Sequence, residues 1–193
     1  NYVSERTVYE YVTCSMDGEG VKASNDVTLQ VDASLADAGK LDMVVVCSGW
    51  NVKNYVTREL LAQLRRLVTH GAHAGAICTG SYILARAGLL DGYRCTIHWE
   101  NLSGFAEAFP DVDVAAHLFA IDRNRFTCSG GTAGLDMMLH LISQQHGEEL
   151  AAKVSEQCLL DQIRRSHSSQ RMPLNVRLGG HHPKLIATIG MME

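Results

Sequence analysis

The sequence predicts an α/β protein built as a three-layer sandwich around a mainly parallel sheet. Strand-like runs alternate along the chain with helical periods of ten or more residues, a pattern typical of parallel strands joined by right-handed crossovers. The run L-D-M-V-V-V-C over 41–47 is apolar without alternation, as in a parallel strand that is covered on both faces. The chain has 193 residues, of which 46% are hydrophobic, so it can bury a substantial core.

The order of elements follows from the spacing of apolar residues and from the positions of glycine and proline. The region before 41–47 alternates apolar and polar residues, which predicts a strand over 7–15 and a small antiparallel decoration with strands at 21–23 and 27–31. Helical spacing of apolar residues predicts helices at 58–70, 81–87, 99–109, 132–145 and 148–165. Shorter apolar runs predict strands at 73–77, 94–98 and 112–116 and a hairpin of 117–121 with 125–128.

Composition and charge restrict the class of protein. The formal net charge is -4, so the chain as a whole lacks the basic excess of a free-standing nucleic-acid binder, although the part from Lys153 onward is basic. The six cysteines contain no C-x-x-C pair, so we expect reduced, mostly buried thiols and neither a metal nor a cofactor. No apolar run approaches the length of about 20 residues that crosses a bilayer. These features predict a cytoplasmic protein with no membrane partner.

The segment G-A-I-C-T-G-S over 75–81 predicts a nucleophile elbow, in which a strand turns sharply into a helix at Cys78. Such a turn requires small residues two positions to either side, and Ala76 and Gly80 meet that requirement. A thiol at a helix N-terminus is expected to be stabilised as the thiolate. The alternative interpretation is that Cys78 is one more buried thiol at a strand end.

His98, at the end of the strand predicted over 94–98, is the candidate base for Cys78. If the two strands are neighbours, both side chains lie at the carboxyl edge of the sheet, where such folds bind ligands. The alternative is a histidine that only packs beside Trp99. A second H-x-E pair, His146 with Glu148, lies at a helix junction and is interpreted as a solvated cap.

Several motifs together resemble the sensor domain of AraC/XylS-type transcription regulators that carry a class I glutamine amidotransferase-like domain of the PfpI type. They are A-I-C-T-G with A-G-L-L-D-G (87–92), T-I-H-W-E (96–100), T-C-S-G-G-T-A-G-L-D-M-M-L (127–139) and S-S-Q-R-M-P-L with H-H-P-K-L-I-A-T-I-G-M-M-E (within 168–193). The resemblance implies a flavodoxin-like fold that in this chain lacks the usual first strand and helix. Within these regulators, the subgroup resembled is that of arginine, glycine-betaine and carnitine catabolism.

The resemblance also implies that the chain has two segments and that it is part of a longer protein. Residues 1–167 form the amidotransferase-like effector and dimerisation domain, and 168–193 form a linker with the start of a C-terminal helix-turn-helix domain. Because the chain starts at Asn1 and ends on an apparently helical segment, we expect it to be part of a longer polypeptide. The acidic residue that accompanies the elbow cysteine in enzymatic relatives would then precede Asn1.

Three functions remain open from the sequence. The first is a non-catalytic module that senses a betaine-, carnitine- or arginine-like effector, forms a homodimer and binds DNA through the absent C-terminal domain. Its predicted ligand residues are Gly49, Trp50, Cys78, Thr79, His98 and Trp99, and Trp50, Tyr82 and Trp99 are candidate cation-π partners. The second is a PfpI-type cysteine hydrolase or hydratase that uses Cys78 and His98. The third is mainly a dimerisation platform that uses the apolar stripe of Met137, Met138, Leu139, Leu141 and Ile142.

Overall fold

The computed structural model describes residues 1–178 and 183–191. The strands are β1 Cys14–Ser15, β2 Val21–Lys22, β3 Thr28–Leu29, β4 Ala33–Ser34, β5 Met43–Ser48, β6 His73–Cys78, β7 Arg94–Cys95, β8 Asp113–Val114, β9 Phe119–Asp122 and β10 Arg125–Cys128. The helices are α1 Arg58–Thr69, α2 Gly80–Arg86, α3 Leu102–Ala108, α4 Ala133–His146, α5 Glu148–Gln157, α6 Leu174–Leu178 and α7 Pro183–Gly190. Within the described ranges, every helix is too short or too polar to cross a bilayer.

A four-stranded sheet in the order β5-β6-β10-β9 forms the centre of the fold. β5, β6 and β10 run parallel, and β9 pairs antiparallel with β10 through the predicted hairpin. One core packs α1, α2 and α3 against the face that carries Ala74 and Ala76, and a second core packs α4 against the face that carries Phe119 and Phe126. The predicted α/β sandwich with a mainly parallel sheet is therefore confirmed.

Helix α1 illustrates how local sequence sets these elements. The Thr57 hydroxyl oxygen accepts a hydrogen bond from the Leu60 N–H at 3.1 Å, which satisfies one of the donors that a helix leaves unpaired at its start. The helix buries Leu64 and Leu67 and is followed by Gly71 at φ 100°. A glycine is required at such a stop because side chains rarely adopt positive φ.

The apolar stripe of α4 packs on the sheet. Met137 and Leu139 are fully buried, and Met137 and Leu141 join the core formed with β9 and β10. These three side chains are therefore enclosed within the chain and are not available to a second subunit.

The strand predicted over 7–15 is largely wrong, because only Cys14–Ser15 pair with another strand, the parallel β4. Alternating apolar residues form a strand only where a neighbouring strand satisfies their backbone groups. Here the Thr13 N–H donates to the Asp32 carboxylate at 2.7 Å. Tyr11 is 85% exposed, so this segment does not bury its apolar positions within the described residues.

The helix predicted over 148–165 ends at Gln157, eight residues early. Leu159 adopts φ 55°, its N–H donates to the Glu156 carbonyl, and the Leu160 N–H donates to the Ser155 carbonyl. These bonds form a helix-ending motif that usually contains glycine at the left-handed position. With leucine there, the sequence carries no visible stop signal, and residues 158–165 turn back toward α4.

Candidate functional site

The elbow at Cys78 is present. Cys78 is the last residue of β6 and adopts φ 58°, and α2 begins two residues later at Gly80. A side chain at Gly80 would overlap the backbone carbonyl of Val46, and Ala76 is completely buried beside it. The small residues that the sequence places around Cys78 are thus needed to bring α2 against β5. A non-glycine residue held at positive φ is strained, as expected of an elbow.

Thr79 and Gly49 meet next to this elbow, as the predicted site requires. The Thr79 hydroxyl donates to the Gly49 carbonyl at 2.6 Å, which joins the turn after β6 to the turn after β5. The neighbouring Trp50 does not join them, because 78% of its surface is exposed. The two turns lie side by side because β5 and β6 are parallel and in register, with Ser48 opposite Cys78.

The expectation of a stabilised thiolate at Cys78 is wrong. Partial burial raises the pKa of the thiol, a hydrogen bond from the Thr79 N–H lowers it less, and the negative charge of Glu100 raises it again. The pKa of Cys78 therefore lies above its ordinary value. The hydrogen bond from the Thr79 N–H does not offset the loss of solvent around the sulfur.

His98 is held by its own turn and its strand is not a neighbour of β6. Only Arg94–Cys95 of the predicted strand pair, and they pair with β8 outside the central sheet; β10 occupies the place beside β6. The Glu100 N–H donates to Nδ1 of His98 at 3.4 Å, and the Glu100 carboxylate lies 3.7 Å from the same nitrogen. Nδ1 thus faces Glu100, and His98 caps the short turn Trp99–Asn101.

A cavity of about 210 Å³ lies between His98 and the turn that leads from β10 into α4. Its other walls come from Trp99 and from two residues that follow α5 in the chain, Arg164 and Gln170. The full lining is His98, Trp99, Leu118, Ser129, Gly130, Gly131, Thr132, Ala133, Arg164 and Gln170. This volume is smaller than the about 300 Å³ at which pockets for drug-sized ligands begin, so it suits a small metabolite.

Gly130 connects this cavity to the elbow. A Cβ atom at Gly130 would lie 2.8 Å from Cβ and 3.1 Å from Sγ of Cys78, so the glycine backbone packs directly on the cysteine side chain. Cys78 itself is not part of the cavity wall. Cys78, Thr79 and Gly49 thus meet at the elbow, whereas His98 and Trp99 line the cavity, and Gly130 both contacts Cys78 and lines the cavity.

The residues after α5 complete the cavity through long-range hydrogen bonds. Arg164 donates from Nε at 2.9 Å and from its backbone N–H at 2.8 Å to the carboxylate of Asp136, which is 3% exposed. The Gln170 amide nitrogen donates to the carbonyls of His117 at 2.7 Å and Ile97 at 3.0 Å. Its amide oxygen is buried without a hydrogen-bond partner among the described residues. Neither residue was predicted, because nothing local in the sequence shows what they contact.

The three candidate aromatic residues have different surroundings. Tyr82 packs edge-on against Phe109, with ring centroids 5.3 Å apart, and belongs to the core. Trp99 is 38% exposed, and the guanidinium carbon of Arg171 lies 4.4 Å from its ring centroid. Of the three, only Trp99 lines the cavity.

The other cysteines differ in burial, and a second cavity lies away from the predicted site residues. Cys47 and Cys158 are exposed, so the prediction of buried thiols is wrong for these two; Cys95 and Cys128 are buried. Cys47 lies on the same face of β5 as Val45, and both side chains are exposed, whereas Val44 on the other face is buried. A larger cavity of about 290 Å³ lies between α4 and α5 and includes none of the predicted site residues.

A flavodoxin-like α/β domain with a cysteine on a nucleophile elbow defines the class of this protein. The chain belongs to the DJ-1/PfpI family, whose family model matches residues 2–144. It is 48% identical, over all 193 residues, to the HTH-type transcriptional regulator GbdR of Pseudomonas aeruginosa, of which it covers 53%. The chain thus spans about half the length of that relative.

A solved structure and a more distant relative extend this comparison. The crystal structure of an AraC family transcriptional regulator from Pseudomonas putida superposes with a TM-score of 0.71 at 30% identity, over 78% of this chain and 82% of that one. An isonitrile hydratase from Pseudomonas putida is 32% identical over 71% of this chain and 60% of its own length. The similarity therefore includes both regulators and an enzyme.

The raised pKa of Cys78 predicts slow alkylation near neutral pH. We expect the rate of Cys78 modification by iodoacetamide, followed by peptide mass spectrometry, to keep rising with pH beyond about 8.5, the ordinary cysteine pKa. Exposed Cys158 provides an internal reference in the same digest. A Cys78 rate that levels off near pH 7 would show an activated thiolate and would favour the hydrolase or hydratase function.

Proposed function

We propose that this chain is the effector-sensing and dimerising part of a DNA-binding transcription regulator of the AraC type. The observation that carries the proposal is the 48% identity to an HTH-type transcriptional regulator along the whole of the chain, where the chain accounts for 53% of the relative. The remaining length is ample for a separate DNA-binding domain. DNA is then bound by residues beyond this chain, consistent with its acidic net charge of -4.

The cavity beside His98 and Trp99 is the proposed effector site, with Cys78, Thr79 and Gly49 at the elbow that Gly130 contacts. Its size fits a small nitrogenous metabolite, and the resemblance in sequence points to a betaine-, carnitine- or arginine-like compound. Such an effector acts by binding one state of the regulator more tightly than another. Trp50 is not assigned to the site, because it is mostly exposed and does not line the cavity.

The same proposal covers the other partners and the division of the chain. Residues 1–167 form the sensing domain, 168–193 lead to the helix-turn-helix domain, and the regulator acts as a homodimer in the cytoplasm. Helices α6 and α7 lie in the second segment, as a lead into a helical domain requires. Dimerisation fits a family of DNA readers that bind paired half-sites.

Turnover is not part of the proposed function. A nucleophilic cysteine needs a lowered pKa or a base within hydrogen-bond reach. The pKa of Cys78 is raised, and Cys78 does not line the cavity that His98 lines. The elbow then has a structural role. Its sharp turn at Cys78 places Thr79 where the hydroxyl can bond the loop after β5.

The test is isothermal titration of the purified chain with glycine betaine, carnitine and arginine separately. We expect measurable binding of at least one of them, and a loss of affinity of fivefold or more in His98→Ala. His73→Ala is the matched control, because this exposed histidine begins β6 at the end opposite to Cys78. The absence of both binding heat and a thermal shift with all three compounds would contradict the proposal. Equal losses in the two histidine variants would place the site elsewhere.

A further inference from the structure

The segment of residues 164–171, here called the strap, crosses from α4 to the cavity and ends on Trp99. It is fastened at its start by the pair of Arg164 with Asp136. In its middle, the carbonyl of Ser166 accepts a hydrogen bond from the Leu118 N–H at 2.9 Å. At its end, Ser169 forms a β-bridge with His117. Three residues beyond the strap, at Leu174, α6 begins.

The strap lines part of the cavity, and one of its residues also stacks on Trp99, an aromatic residue of the cavity wall. Gln170 lines the cavity, and the next residue, Arg171, places its guanidinium carbon 4.4 Å from the centroid of the Trp99 ring. This distance is within the about 6 Å over which a cation and an aromatic face attract each other. A positive charge belonging to the chain itself is therefore stacked on Trp99.

The other ring neighbour of Trp99 is His98, whose centroid lies 5.5 Å away with the planes tilted by 38°. His98 is fixed by its turn, since its Nδ1 accepts the Glu100 N–H and caps Trp99–Asn101. Arg171 belongs to a polar segment that follows the last helix of the sensing domain. Of these two neighbours, Arg171 is the one that a ligand can replace without unfolding the turn.

We propose that a cationic effector competes with Arg171 for the face of Trp99, so that effector binding releases the end of the strap. The inference rests on the proposed function and names the ligand as an organic cation, a quaternary ammonium or guanidinium group. In the effector-free state Arg171 holds the chain leading to α6 against the sensing domain. In the bound state the ligand cation takes its place, and the strap loses that fastening.

This arrangement couples the effector site to the C-terminal helices, because the two states differ in whether Arg171 or the ligand cation lies on Trp99. An effector shifts an equilibrium only by its differential affinity for the states. Here the difference is local, because the face of Trp99 that the Arg171 guanidinium covers becomes available when Arg171 leaves. Gln170 adds to the coupling, because its hydrogen bonds to the His117 and Ile97 carbonyls lie between the cavity and Arg171.

The experiment uses a Trp50→Phe background, in which Trp99 is the only remaining tryptophan of the two in the chain. Fluorescence titration with glycine betaine reports on the Trp99 ring. We expect Arg171→Ala to tighten binding about two- to fivefold, the factor that corresponds to removing a competing exposed cation-π contact of about 0.5–1 kcal/mol. Arg165→Ala is the matched control, since it removes the same charge from an exposed position of the same strap. We expect it to leave the affinity unchanged.

Two further measurements separate the inference from the proposed function. The probe 3,3-dimethylbutanoate has the shape of glycine betaine without the positive charge, and arginine has the neutral counterpart citrulline. We expect the two compounds that carry the positive group, glycine betaine and arginine, to bind more tightly than the counterparts that lack it. Hydrogen exchange of unsubstituted protein should show faster exchange over 166–171 when the cation is bound, a result that does not depend on any variant folding.

The outcomes are distinct. Binding by the unsubstituted chain with equal affinities in Arg171→Ala and Arg165→Ala, or with unchanged exchange over 166–171, would overturn the competition while leaving the effector site in place. The same holds if the counterparts without the positive group bind as well as glycine betaine and arginine. Absence of binding by every probe would contradict the proposed function itself, and with it the inference.

Discussion

Gly80→Ala is expected to lower the free energy of unfolding by about 3 kcal/mol, the upper part of the range for overpacked sites. A methyl group at this position would overlap the carbonyl oxygen of Val46, so α2 would have to move away from β5. The backbone of Gly80 is helical, so alanine would be favoured there by propensity alone. Steric overlap is thus the only source of the predicted loss. Urea unfolding followed by circular dichroism measures it as a lower midpoint at an unchanged slope.

Gly104→Ala is the matched control, because this glycine lies inside α3 and a Cβ there would meet no atom within 4 Å. We expect it to be neutral or to stabilise by about 0.5–1 kcal/mol, the usual gain from replacing a helical glycine by alanine. The two variants should therefore shift the midpoint in opposite directions. A Gly80→Ala midpoint equal to that of the unsubstituted protein would show that α2 does not require this close approach.

Asp136→Asn is expected to cost about 3 kcal/mol, near the lower end of the range for breaking a buried ion pair. Asp136 is 3% exposed and accepts hydrogen bonds from the backbone and guanidinium group of Arg164. The substitution keeps the shape of the side chain but removes the charge that pairs with the guanidinium. Because Arg164 retains partial contact with solvent, its charge is not fully stranded, which limits the loss. Thermal and urea unfolding measure the change, and proteolysis within 158–171 should accelerate with it.

Glu149→Gln serves as the comparison on the surface. Glu149 pairs with Lys153 at 2.8 Å on the exposed side of α5, with side chains 84% and 54% exposed. Exposed pairs of this spacing contribute about 0.3–0.5 kcal/mol. A loss in Asp136→Asn no larger than that in Glu149→Gln would show that the Arg164 contact does not hold the strap.

The parts of the fold that were predicted correctly are those whose causes are local. The elbow is visible because the strain at Cys78 requires small residues at fixed positions, and Ala76 and Gly80 occupy them. The strand over 41–47 and the helix over 58–70 are visible because periodicity and capping act within one element. In each case the structure shifts the boundaries by no more than two residues.

The parts that were missed depend on contacts between distant positions. The end of α5 is hidden because leucine occupies the left-handed position at 159 where glycine is usual. Arg164 was predicted inside a helix and Gln170 lies in a polar stretch that resembles a linker, and their roles depend on Asp136 and Ile97, far away in sequence. The electrostatics of Cys78 were misjudged for a similar reason, since Glu100 and the surrounding burial are tertiary features.

The close contact between Gly130 and Cys78 limits which residue can occupy position 130. The residue that roofs the thiol has no side chain of its own, and a single added methyl group would come within 3.1 Å of Sγ. The turn that carries Gly130 can therefore come this close to the elbow only while residue 130 has no side chain. The positive φ of 99° at the same position excludes a side chain for a second, independent reason.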